Sequence, residues 1–125
     1  MTDVKTELRR HALAKRDLVS AQEAHAAAAA LSRDGLALVA EAAALLRLDA
    51  PIVSVYWPIR SEVDVRPLIA LLRARKQAVA LPQVTPDGLV FRLAAESGAL
   101  AAGGFGLSEP GPEAPVVEPR VLLVP

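Results

Sequence analysis

The succession of strand, helix and strand between Ile52 and Leu81 constrains this chain more than any other feature. Ile52-Val53-Ser54-Val55-Tyr56-Trp57 is β-branched and aromatic, is bounded by Pro51 and Pro58, and reads as a buried strand. Arg66-Pro67-Leu68-Ile69-Ala70-Leu71-Leu72-Arg73 suits a helix capped by Asp64, because proline is tolerated in a first turn where its missing amide has no partner. Ala78-Val79-Ala80-Leu81 returns as a strand. A crossover of that length implies parallel pairing with right-handed connectivity. Thr85-Pro86-Asp87-Gly88 then marks a turn, Leu89 to Leu93 a further strand, Gly98 to Pro119 a glycine- and proline-rich loop, and Arg120 to Pro125 another core strand.

Ahead of this lie two helices. Val4 to Leu18 carries Lys5, Arg9, Arg10, Lys15 and Arg16 among Val4, Leu8, Ala12 and Leu18, as a helix with one basic face does. Ser20-Ala21-Gln22-Glu23 is a capping box, with the Ser20 hydroxyl accepting from the Glu23 amide and the Glu23 carboxylate reaching back to the Ser20 amide. A second helix therefore starts at Ala21 and runs to about Leu48, with Gly35 inside it at a cost of about 1 kcal/mol relative to alanine. The fold class expected is α/β: an open, largely parallel sheet flanked by helices, with two N-terminal helices before the first strand. One domain fills residues 1–125, helical over 1–48 and βαβ-rich over 51–125.

Composition narrows function by exclusion. The 125 residues are 53% apolar and contain no cysteine, so disulfide scaffolds and Cys-ligated metal sites are excluded. Fourteen basic residues balance fourteen acidic ones, which lacks the one-signed field of a general nucleic-acid or membrane-surface binder. The alanine run Ala26 to Ala30 is far shorter than the roughly 20 apolar residues a membrane span needs. No leader-like apolar stretch opens the chain, and a cytoplasmic setting is the default expectation.

Individually, the residues that bear chemistry are ambiguous. His11 and His25 fall in different helices without metal-ligand spacing. Gly103-Gly104-Phe105-Gly106 lacks the Gly-Lys-Ser/Thr of a phosphate loop and suits a turn. Lys5 and Arg9, four apart, share a helix face and form either a solvated basic surface or a pair of cations for a polyphosphate. Glu62 follows the C-terminal end of a strand, where open α/β sheets place ligand-binding groups, and Asp64 stands beside it as a helix cap. Trp57 at the strand tip either stacks on a planar ligand or closes the core.

In order, Lys5-Thr6-Glu7-Leu8-Arg9, Val55-Tyr56-Trp57-Pro58 leading to Glu62-Val63-Asp64, Leu81-Pro82, Gly104-Phe105-Gly106-Leu107-Ser108-Glu109-Pro110 and Val121-Leu122-Leu123-Val124-Pro125 resemble the 5-formyltetrahydrofolate cyclo-ligase family, also called methenyltetrahydrofolate synthetase. The resemblance spans essentially the whole chain. It implies ATP-dependent closure of 5-formyltetrahydrofolate to 5,10-methenyltetrahydrofolate, with release of ADP and phosphate and a requirement for Mg2+. It also implies that Lys5 and Arg9 contact the ATP phosphates, that Glu62 and Trp57 contact the folate, and that the full-length protein is a cytoplasmic monomer with a small-molecule substrate and no nucleic-acid or membrane partner. Family chains continue past the final Val-Pro with a glycine-rich Gly-x-Arg-x-Gly-x-Gly-x-Gly-Tyr-Tyr-Asp segment, so the resemblance implies that this chain lacks its C-terminal third. The expectation is weak ATP binding and little turnover by these 125 residues, with no catalytic residue or magnesium ligand identifiable among them. A sugar-phosphate or coenzyme-A-handling α/β enzyme is the alternative that fold grammar leaves open, and a non-catalytic binding module is the other.

Overall fold

A computed structural model describes residues 3–94, 100–102, 108–111 and 113–125. Helices α1 (Val4–Asp17) and α2 (Ala21–Leu45) lead into β1 (Val53–Ser54), α3 (Arg66–Ala74), β2 (Val79–Thr85) and β3 (Gly88–Leu93). Short strands β4 (Leu100–Ala102), β5 (Ser108–Pro110), β6 (Val116–Val117) and β7 (Val121–Leu122) complete the order. Five strands form one sheet in the order β6-β3-β2-β1-β7, and β4 pairs with β5 in a separate ribbon. The sheet is open and mixed: β1 is parallel to both β2 and β7, whereas β2–β3 and β3–β6 are antiparallel. The crossover through α3 gives the parallel pair, and the Thr85-to-Gly88 turn, with Gly88 at φ 124°, gives the hairpin.

Register explains which side chains make the core. Val53 pairs with Val79 and Val121, so Val53 and Val55, Val79 and Leu81, and Val121 and Leu123 share one face of the sheet. Val39 of α2 and Leu68, Ile69 and Leu72 of α3 pack on that face to form the main cluster. On the opposite face Ser54 and Ala80 are also buried, whereas Leu122, at the β7 edge, is half exposed.

Four local expectations change. The strand over 52–57 ladders only at its centre, with Val55 donating to the Ala80 carbonyl as the last rung toward β2. Pro82 has no amide to continue that ladder and Pro58 none further on, so Tyr56 and Trp57 leave the sheet at its C-terminal end. The region read as loop from 98 to 119 contains β4, β5 and β6, strands too short and too interrupted by glycine and proline to show alternation. The N-cap of α3 is Val65 instead of Asp64, whose carboxylate accepts from the Arg66 amide one position early. The Ser20 box holds with one difference: Ser20 Oγ accepts from the Glu23 amide at 3.1 Å, but the Glu23 carboxylate accepts from the Ser20 hydroxyl and not from its amide. The Gly103–Gly106 cluster lies outside the described residues. Among the described residues no helix is long and apolar enough to cross a membrane.

Gly35 leaves α2 unbroken and has a packing reason. It is buried, and a Cβ there would meet Leu68 Cδ2 at 2.9 Å, so the missing side chain is what lets α3 approach α2. Gly35→Ala sets a gain of about 1 kcal/mol in helix propensity against that clash, leaving a small net change. Gly35→Val adds volume that buried Leu68 cannot yield, and a loss of about 1–3 kcal/mol is expected in denaturant titration.

Candidate active site

Where the chain leaves β1 it forms a tight turn over Ile59-Arg60-Ser61-Glu62. The Glu62 amide donates to the Ile59 carbonyl at 3.1 Å, and the Ile59 amide donates to Glu62 Oε1 at 2.9 Å. The glutamate therefore fastens the turn that carries it, and one of its two carboxylate oxygens is engaged in doing so. Arg60 sits in this turn at φ 51°, a left-handed conformation that costs a non-glycine residue about 1–2 kcal/mol. Such strain persists only where the surroundings hold it, and here it borders a cleft.

The cleft has a volume of about 380 Å³ and opens beside this turn. Its polar wall is Arg16, Tyr56 and Glu62, and its apolar wall is Ala27 and Leu31 of α2 with Val63 and Val124. Tyr56 stands on the turn as well, donating from its phenol to the Val63 carbonyl at 2.9 Å. Burial raises the Tyr56 phenol above its ordinary pKa of 10.0, the charges of Glu62 and Asp64 raise it further, and Arg16 opposes them. A guanidinium, a carboxylate and a neutral phenol thus share one small concavity, the usual composition of a ligand site with a few converging polar groups.

Glu62, read from sequence as a site residue, lies in this cleft. Lys5 and Arg9 do not line it; both are exposed on α1. They precede Arg16 by eleven and seven residues, however, and at 3.6 residues per turn all three fall within about 40° of one another. Arg9 lies about 10 Å and Lys5 about 16 Å along the helix axis from Arg16, so one basic stripe runs toward the cleft. Trp57 lies elsewhere: it is half-buried against the core cluster, and the Arg66 guanidinium stands 5.8 Å from its ring centroid.

Arg66 is held there by Asp64 through a forked pair, Nε to Oδ1 at 2.7 Å and Nη2 to Oδ2 at 2.9 Å. The side-chain hydrogen bond from Arg66 holds the Asp64 carboxyl below its ordinary pKa of 3.8. A lowered carboxylate contributes stability above its ordinary value and loses it as pH falls through the lowered one. Wild type should therefore lose more melting temperature than Asp64→Asn on acidification below about pH 4, by a small margin because the pair is largely exposed.

Sequence reading missed Arg16 and Tyr56 as site residues. Arg16 was legible only as one of several cations on a basic helix, and Tyr56 only as part of an aromatic strand. Their signal is positional, since Arg16 shares the Lys5 and Arg9 stripe and Tyr56 is the first residue past the ladder. Among the described residues no three His, Asp or Glu side chains converge to hold a metal ion, so no magnesium position is assigned to these side chains.

Neither a protein-family model nor a curated protein matches the sequence. Among solved structures, the chain superimposes on the NMR structure of 5,10-methenyltetrahydrofolate synthetase from Aquifex aeolicus with a TM-score of 0.73 and 25% sequence identity. The two chains share one fold. The match covers 98% of this chain and 60% of that one, so this chain spans about three-fifths of the length of the synthetase it resembles.

Proposed function

We propose that this chain takes part in ATP-dependent cyclisation of 5-formyltetrahydrofolate to 5,10-methenyltetrahydrofolate, as a cyclo-ligase. The observation that carries the reading is the likeness of fold, over 98% of the chain, to a 5,10-methenyltetrahydrofolate synthetase. The geometry supports it by separating two kinds of group. Lys5 and Arg9 offer the phosphates of ATP two cations on one helix face, where charge neutralisation and positioning are what phosphoryl transfer requires. Glu62, braced by its own turn, offers the folate a fixed hydrogen-bond acceptor in the cleft that Arg16, at the end of the same stripe, also lines.

In this reading Glu62 orients the pterin or its N5 substituent, and Trp57, which does not line the cleft, is proposed as a folate contact on the family resemblance alone. ATP is the co-substrate and Mg2+ accompanies it; no step is assigned to a magnesium held by the described side chains, because none of them cluster to hold one. Turnover is proposed for the whole protein, which is taken to be cytoplasmic and monomeric, with no nucleic-acid or membrane partner.

Substrate class is tested by titrating the single tryptophan's fluorescence with 5-formyltetrahydrofolate, with a sugar phosphate and with coenzyme A. A saturable change with 5-formyltetrahydrofolate alone is expected. A response to the sugar phosphate or to coenzyme A instead would replace the folate reading with that of another α/β enzyme.

A further inference from the structure

Helix α1 has no buried residue, and Val4 and Leu8 on it and Leu18 at its C-cap are largely exposed. Packing therefore does little to fix the direction of the helix that carries Lys5 and Arg9. What ties its end to the rest of the chain is a polar clasp on the Glu62 turn. Arg16 Nε donates to Ser61 Oγ at 2.8 Å, and the same hydroxyl donates to Asp17 Oδ1. One hydroxyl thus accepts from a cation and donates to an anion on consecutive residues of α1, which satisfies its donor and leaves neither charge facing it uncompensated. Ser61 lies next to Glu62, so the clasp joins the basic helix to the turn that Glu62 fastens.

We propose that Arg16, Asp17 and Ser61 form a positioning clasp that sets the Lys5–Arg9 stripe in register with the Glu62 cleft. Arg16 is then a positioning residue with a second face, since it also lines the cleft. The clasp rests on the folate reading only for the identity of the ligand; its mechanical part concerns this chain alone.

The ligand-free arm uses limited trypsin digestion, because α1 carries Lys5, Arg9, Arg10, Lys15 and Arg16 as cleavage points. Cleavage within a helix follows how often it opens locally. Ser61→Ala should speed cleavage within α1 by about three- to tenfold, the equivalent of one hydrogen bond, and Ser61→Thr should restore the slow rate. The single tyrosine gives a second readout. Arg16 opposes the raising of Tyr56 by burial, Glu62 and Asp64, so releasing Arg16 in Ser61→Ala should move the phenol's titration to higher pH. Unchanged cleavage together with an unchanged tyrosine titration would overturn the clasp.

The ligand arm measures 5-formyltetrahydrofolate affinity in the same variants, with weakening of about three- to tenfold in Ser61→Ala and recovery in Ser61→Thr expected. A freed helix with unaltered affinity would overturn the positioning role. Absence of binding to the wild type would instead count against the folate reading, and the clasp would stand or fall on the ligand-free arm.

Discussion

Leu68→Ala is expected to destabilise the protein by about 3–5 kcal/mol, the upper part of the range for a buried leucine. Leu68 is fully buried and faces Gly35 across the contact between α2 and α3. Glycine has no side chain to move into the hole, so the cavity stays open and its lining loses contacts outright. A chain of this size has a total stability of only about 5–15 kcal/mol, so the variant sits close to unfolding at room temperature. The check is the denaturant midpoint at unchanged slope, with Leu122→Ala as a comparison. Leu122 is half exposed at the sheet edge, and its truncation should cost well under half as much. Equal losses from the two variants would contradict the core described here.

Glu62→Gln is expected to weaken binding of 5-formyltetrahydrofolate by about ten- to a hundredfold, the range for losing a hydrogen bond to a charged group. The substitution is informative because it spares the turn. A glutamine carbonyl oxygen can still accept from the Ile59 amide, so Oε1 is replaced while the backbone bond from Glu62 to Ile59 is untouched. Tyr56 reports that the change acted in the cleft. Removing the Glu62 charge takes away one cause of the raised phenol, so the tyrosine should titrate at lower pH than in wild type. Loss of affinity with no movement of Tyr56 would place the effect outside the cleft.

Much of the architecture is legible in the sequence alone. The start of α2 at Ala21, the start of α3 at Arg66 and the hairpin at Thr85 to Gly88 each rest on local chemistry that the chain displays: a capping serine, a first-turn proline and a turn glycine. Parallel pairing of β1 with β2 followed from crossover length alone. Where reading failed, the cause was long-range. The truncation of β1 depends on Pro82, a residue in the strand beside it, and a one-strand pattern cannot show what its neighbour lacks. Strands β4, β5 and β6 are held by pairing and have too few residues to display a period.

The site was legible in the same uneven way. Glu62 was visible because it follows a strand end, a place that α/β sheets use for ligands. Its fastening of the Ile59 turn was not, because that depends on the turn's backbone conformation at Arg60. Lys5 and Arg9 were visible as a pair at helical spacing. Their alignment with the cleft came only from Arg16, which joins α1 to a residue 45 positions later through Ser61. For Trp57 the strand tip leaves ligand stacking and core closure both open; its ring packs against the core cluster with Arg66 as a cationic neighbour, an arrangement set by the Asp64 fork and not by any feature of the strand.

5-Formyltetrahydrofolate is proposed to bind in the cleft bordered by Arg16, Tyr56 and Glu62. Calorimetric titration of that compound into the wild-type chain and into Glu62→Gln tests it most directly. Saturable one-to-one binding to wild type, weakened at least about tenfold in Glu62→Gln, is the predicted result. Absence of saturable binding, or equal affinity in the two proteins, would contradict it.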